Sequence, residues 1–154
     1  TTSFIVYENM KSSKQEIIIN FNPQDLYKIV IDIENYPEFI PWCDKIEIKS
    51  KTKNEIIADM IVKYKIFPPK IFTSHVFFDS KNLIIKTKYV KGPLKDLNTE
   101  WSFQEIKKKK TKVIFKVNFE FNNLFFQKSA ELFFGLIENQ MIESFKKRAK
   151  EILD

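Results

Sequence analysis

Residues 111–122, TKVIFKVNFEFN, alternate apolar and polar side chains almost without fault: Val113, Phe115, Val117, Phe119 and Phe121 against Lys116, Asn118, Glu120 and Asn122. Successive side chains of a strand point to opposite faces, so this stretch has one dry face and one wet face. That is the pattern of an antiparallel sheet covered on one side. The period then changes. From Asn123 to Leu153, Phe126, Ala130, Phe133, Phe134, Ile137, Met141 and Phe145 recur at spacings of three and four. This predicts an amphipathic helix of about 30 residues, ~45 Å long. A helix so apolar along one side needs a surface to lie on, and the dry face of the sheet supplies it.

Upstream, SSKQEIIINF (12–21) is short and β-branched and reads as a first strand. FNPQDLYKIVIDIENY (21–36) switches to a helical period, with Leu26, Ile29 and Val30 on one face. Asn22 suits a cap, Pro23 the first helical position and Asp25 the first turn. The helix is predicted to stop near Glu34. Pro37 and Pro41 disfavour helical geometry at Tyr36 and Ile40, so 36–42 is at most a helical turn between two breakers.

The next five segments alternate again. The inward sets are Ile46 and Ile48 in 44–54; Ile56, Ala58, Met60, Val62 and Tyr64 in 54–67; and Phe72, Val76 and Phe78 in 71–80. They continue with Leu83, Ile85, Thr87 and Tyr89 in 82–92, and Leu97, Thr99, Trp101 and Phe103 in 96–107. The turns DSKN (79–82) and KKKKT (107–111) are short, which suggests a meander. The order is strand, helix, broken turn, six strands, long helix. The fold class is α+β: a curved antiparallel sheet wrapped around a long C-terminal helix, with a space between them lined by Phe, Tyr, Trp and Met.

A chain of 154 residues suits one domain over 1–154, large enough to bury roughly 70% of its unfolded surface. Sixteen Phe against two Gly can line a wide interior. The net charge of +6 favours acidic partners, anionic lipid headgroups or nucleic-acid phosphates, unless it reflects only a lysine-rich proteome. Cys43 is the single cysteine, which excludes an internal disulfide and suits a reducing cytoplasm. No apolar run approaches the ~18–20 residues of a membrane span. The start, TTSFIVYENM, lacks a signal-peptide pattern and begins at Thr1, leaving room for an upstream segment.

Catalysis has little support. His75, the only histidine, sits mid-strand on the wet face. One His and one Cys cannot close a metal site. Two glycines make no phosphate loop. Cys43 lacks a neighbouring base and reads as a buried, inert thiol. The inward polar groups Ser74, Thr87, Tyr89 and Thr99 are too few and too weak for acid–base work. The expectation is no enzyme, no cofactor and no metal.

ENYPEFIPWC (34–43) places two prolines, several large apolar side chains and the cysteine in ten positions. It is either a corner of the core or the rim of a pocket. With KGPLKDLNTEWSF (91–103) and FFGLIENQMIESFKKRAKEIL (133–153), it resembles the coenzyme Q-binding branch of the START-like, helix-grip superfamily. That superfamily also holds polyketide cyclases and plant pathogenesis-related allergens. The matching residues are Tyr36, Pro37, Phe39, Pro41, Trp42 and Cys43; Gly92, Pro93, Leu97, Trp101 and Phe103; and Met141, Phe145, Arg148 and Ala149. The chain departs at Leu94, where the family has Phe, which keeps the bulk but not the ring.

The resemblance covers nearly the whole chain and implies a lipid-binding module without chemistry of its own. Mitochondrial members bind ubiquinone and support respiration. Bacterial members are called ribosome-association toxins, which bind the large ribosomal subunit and block subunit joining. The preferred expectation is a carrier whose tunnel holds an isoprenoid lipid, ubiquinone first. The tunnel would be lined by Phe72, Val76, Tyr89, Trp101, Phe103, Phe115, Val117, Phe119, Phe134, Met141 and Phe145. Tyr36, Phe39 and Trp42 either gate its mouth or plug that end as core.

KIFPPKIF (65–72) either dips Ile66, Phe67, Ile71 and Phe72 into a membrane or packs on its own protein. The run Lys107–Lys110 and the cluster Lys146, Lys147, Arg148 and Lys150 either meet phosphates or lie solvated. Expected partners are therefore a hydrophobic lipid, a membrane surface or the large ribosomal subunit. The expected location is the cytoplasm, peripheral to the inner face of the respiratory membrane.

Overall fold

The alternating stretches become seven strands: β1 (Met10–Ile19), β2 (Cys43–Lys51), β3 (Glu55–Val62), β4 (Lys70–Asp79), β5 (Ile84–Lys91), β6 (Asp96–Lys107) and β7 (Lys110–Glu120). They form one curved antiparallel sheet in the order β1-β7-β6-β5-β4-β3-β2. This computed structural model describes residues 10–65, 68–121 and 127–154, with 127–130 described by backbone alone. β2 to β7 are the expected meander. β1 closes the far edge on β7, from Met10 opposite Glu120 to Ile19 opposite Thr111. It therefore runs two residues earlier than its own composition suggests, because β7 sets its length.

The register builds the dry face. Trp101 lies opposite both Ile85 and Phe115, and Thr99 opposite both Thr87 and Val117. Phe115, Val117, Phe119 and Phe121 are buried, while Lys116 and Asn118 are exposed. On this face lies the long helix, labelled α2 (Gln127–Leu153) after α1 (Pro23–Ile31). It lies there through ring contacts: Phe133 stacks on Phe72 at 4.5 Å, Phe134 meets Phe119 at 5.1 Å, and Phe145 meets Trp101 edge-on at 4.9 Å. The expected helical residues 123–126, with Phe126 and the Ala130 side chain, lie outside the described residues.

Three local features differ from the sequence reading or sharpen it. First, Asn22 precedes α1 with extended backbone, but its side chain does not cap the helix. Its Oδ1 accepts the Lys109 N–H at 3.0 Å instead. Lys109 has φ +57° in the β6–β7 turn, and the asparagine ties that turn to the helix entry. Second, α1 stops at Ile31, and Ile33–Glu38 tightens into a 3₁₀ helix containing Pro37. The corner is closed by Ile40 N–H to Tyr36 O at 2.9 Å and Cys43 N–H to Ile40 O at 3.1 Å. Third, β5 carries a bulge at Val90, between Thr73 opposite Lys91 and Ser74 opposite Tyr89. Gly92 follows with φ +153°, and a Cβ there would lie 2.7 Å from Tyr89 Oη and 2.9 Å from Ile71 O. Only glycine meets both demands.

Candidate functional site

Between the dry face and α2 lies a void of about 90 Å³. The 3₁₀ corner contributes Ile33, Tyr36 and Trp42; β2 and β3 contribute Ile46, Ala58 and Met60; β4 contributes Phe72, Ser74 and Val76. β5 adds Ile85 and Thr87, β6 adds Leu97, Thr99 and Trp101, β7 adds Phe115, and α2 adds Phe133, Ile137 and Met141. Among the described residues, none of the lining side chains carries a charge.

The fold brings half of the predicted site residues to this void: Tyr36, Trp42, Phe72, Val76, Trp101, Phe115 and Met141. The others sit around it. Phe103 and Phe145 border a smaller space of about 10 Å³ towards α1, with Leu26 and Ile142. Val117 is buried on β7 opposite Thr99, and Phe119 packs against Phe121 and Phe134. Phe39 meets Phe145 edge-on at 5.0 Å, with the Arg148 guanidinium 5.1 Å above its ring. Tyr89 meets Phe72 edge-on at 6.5 Å, and its Oη accepts the Leu94 N–H at 2.9 Å. Leu94 itself is buried.

The sequence reading did not select Ile46, Ala58, Met60, Ile85, Leu97, Thr87, Thr99 or Ser74 as site residues. Strand alternation had already turned most of them inward. What was missing was their shared height across β2–β6, which only the register gives.

In the YPEFIPWC corner, Tyr36, Ile40, Trp42 and Cys43 are all buried. Tyr36 Oη donates to Val30 O, and its ring meets Phe145 edge-on at 5.3 Å. Burial pushes the Tyr36 hydroxyl up, and the nearby Cys43 and Asp32 add to the shift. Burial also pushes the Cys43 thiol up to about 12, with Asp44 adding to it. Cys43 is therefore a protonated thiol at neutral pH.

His75 lies on the outer face, stacked on Phe77 at 4.1 Å, with Nε2 3.4 Å from Glu55. Among the described residues no three His, Cys, Asp or Glu side chains group as metal ligands. Lys107–Lys110 forms the end of the β6–β7 hairpin, with Lys107, Lys108 and Lys109 exposed and Lys110 half-buried. Arg148 pairs with Glu38 at 2.8 Å, tying α2 to the corner. At the start of β4 Ile71 is 54% exposed and Phe72 turns inward, while Ile66 and Phe67 of the preceding loop lie outside the described residues. No helix among the described residues is long and apolar enough to cross a membrane.

Comparison with known proteins agrees with this layout. The family described as polyketide cyclase / dehydrase and lipid transport matches residues 19–146. The ribosome association toxin RatA of Rickettsia prowazekii (strain Madrid E) is 30% identical over 147 residues, covering 94% of this chain and 99% of that protein. The mitochondrial coenzyme Q-binding protein COQ10 of Drosophila melanogaster is 32% identical over 154 residues, covering 93% of this chain and 62% of that protein. These names speak of binding and association, not of a reaction. Among solved structures, the ZhuI aromatase/cyclase of Streptomyces sp. R1128 superposes with a TM-score of 0.81 at 12% identity, covering 94% of this chain and 96% of that one. A START superfamily protein of Mycobacterium smegmatis gives 0.75 at 13% identity, covering 92% of this chain and 98% of that one. At such identities the two structures speak for the fold alone. Fold, motifs and relatives agree: the chain belongs to the polyketide cyclase / dehydrase and lipid transport family, in the branch that holds coenzyme Q-binding proteins and ribosome association toxins.

Proposed function

We propose that this chain is a lipid carrier that takes a neutral isoprenoid of the ubiquinone type into the space between the sheet and α2. It would act in the cytoplasm at the inner face of the respiratory membrane. The observation that carries this reading is the void itself, uncharged along its lining and bordered by the rings of Tyr36, Trp42, Phe72, Trp101, Phe115 and Phe133. The work done is shielding. Each Å² of apolar tail moved out of water gains about 25 cal/mol, and no bond is made or broken.

The void of about 90 Å³ is small beside the ~300–1,000 Å³ of pockets that enclose drug-sized ligands. Binding a whole quinone therefore requires α2 to move off the dry face. Their contact is largely side-chain packing, so the sheet ladder survives that shift.

The test is titration with a ubiquinone carrying a two-isoprene tail, at low and at high salt. Saturable binding near one-to-one, unchanged by salt, is expected. Absence of binding under both conditions contradicts the reading. A second reading is association with the ribosome through the basic surface, favoured by the similarity to RatA over nearly its whole length and by the net charge of +6. Binding to phosphates weakens steeply with salt, which separates the two.

A further inference from the structure

Trp42 stands where the 3₁₀ corner enters β2 and lines the void, with 1% of its surface exposed. Its indole N–H is buried and has no hydrogen-bond partner among the described residues. An unmade buried donor is costly, and native interiors keep few of them. The indole is also held in place. Its ring meets Phe133 edge-on at 6.1 Å, and the Trp42 carbonyl accepts the Lys63 N–H at 3.0 Å.

The same void receives the hydroxyl-bearing side chains Ser74, Thr87 and Thr99. Thr87 and Thr99 are direct partners across β5 and β6, and Ser74 lies on β4 two residues from Val76, the partner of Thr87. The side chains around the void are thus apolar apart from this strip of hydroxyls, the Tyr36 hydroxyl, which already donates to Val30 O, and Trp42 with its orphan donor.

This pattern discriminates among ligands. An indole N–H donates only, so it calls for an acceptor. A carboxylate or ammonium headgroup would be buried without a counter-ion, at a cost of several kcal/mol. A bare hydrocarbon would leave the N–H unmade. A neutral ring bearing carbonyl oxygens suits both the missing acceptor and the missing charge.

Resting on the lipid-carrier reading, we propose that Trp42 recognises the headgroup: its Nε1–H donates to a carbonyl oxygen of a neutral quinone-type ring lodged between Trp42 and the Ser74, Thr87 and Thr99 strip. The sheet and α2 supply affinity for the tail, and Trp42 supplies the preference for an oxygenated ring over a plain isoprenoid.

The test compares wild type with Trp42→Phe, which keeps an aromatic ring and removes the donor. The probes are a two-isoprene ubiquinone and an isoprenoid hydrocarbon of matched length. The variant should bind the quinone about tenfold more weakly and the hydrocarbon unchanged, as expected for one hydrogen bond. In wild type, the indole proton of Trp42, assigned with a Trp101→Phe spectrum, should move downfield with the quinone and stay put with the hydrocarbon. That second readout decides the matter if Trp42→Phe fails to fold. Equal quinone binding by the two proteins, or an unmoved indole proton in quinone-saturated wild type, overturns the proposal. If wild type binds neither probe, the carrier reading itself falls, and this inference with it.

Discussion

Gly92 and Cys43 show how single residues constrain this fold. At Gly92 a Cβ would lie 2.9 Å from the backbone oxygen of Ile71, which cannot swing away, and φ is +153°. Gly92→Ala should cost about 1–3 kcal/mol in urea unfolding, and a change under ~0.5 kcal/mol would contradict the reading. The Cys43 thiol, pushed up to about 12 from an ordinary 9.0, keeps its proton in the folded chain. Above pH ~9 the unfolded chain loses a proton that the folded chain retains, so this residue's contribution to stability falls as pH rises from about 9 towards 12. The stability gap between wild type and Cys43→Ala should therefore narrow with pH across that window, and a constant gap would contradict the assignment. Gly92 was legible locally, because a glycine beside Pro93, which cannot pair in the ladder, permits a bend or bulge at a strand end. The sequence could not announce the partner of Asn22, which lies 87 residues away and meets it only after the sheet has closed.

At the scale of elements, α2 is anchored by Phe145, whose ring meets Tyr36, Phe39 and Trp101 at 5.3, 5.0 and 4.9 Å. Phe145→Ala should cost about 3–5 kcal/mol, read as a lowered urea midpoint with unchanged m. A loss below ~1 kcal/mol would mean that the corner and the helix are not joined there. Periodicity revealed the strands and the helix because alternation and 3–4 spacing are local properties. It did not reveal the void. Choosing the largest inward side chains selects the atoms that fill space, such as Val117 and Phe119. Space is left where inward side chains are small, at Ala58, Ser74, Thr87 and Thr99. Ala58→Leu, which adds bulk to the void itself, should weaken quinone binding at least tenfold while leaving the melting temperature equal or higher. Unchanged binding would place the ligand elsewhere.

For the molecule as a whole, packing and charge divide the two readings. The apolar interior suits a lipid, whereas the charge of +6 and the Lys107–Lys110 turn, exposed at Lys107, Lys108 and Lys109, suit phosphates. Changing Lys107–Lys110 to glutamate should leave quinone binding intact. If the ribosome reading holds, it should also abolish ribosome co-sedimentation and its salt dependence; unchanged sedimentation would count against that reading. The two proposed roles would use different surfaces and do not exclude each other. The helix-grip architecture was legible from pattern and motif together, but the choice of partner was not, because relatives of both kinds match this chain to a similar degree, at 30% and 32% identity. The most direct test is native mass spectrometry with lipid extraction on protein purified from a quinone-producing host. A co-purifying quinone near one-to-one is the expected result. A protein that arrives empty and stays empty after mixing with quinone-loaded vesicles would make the void a packing defect and end the carrier reading.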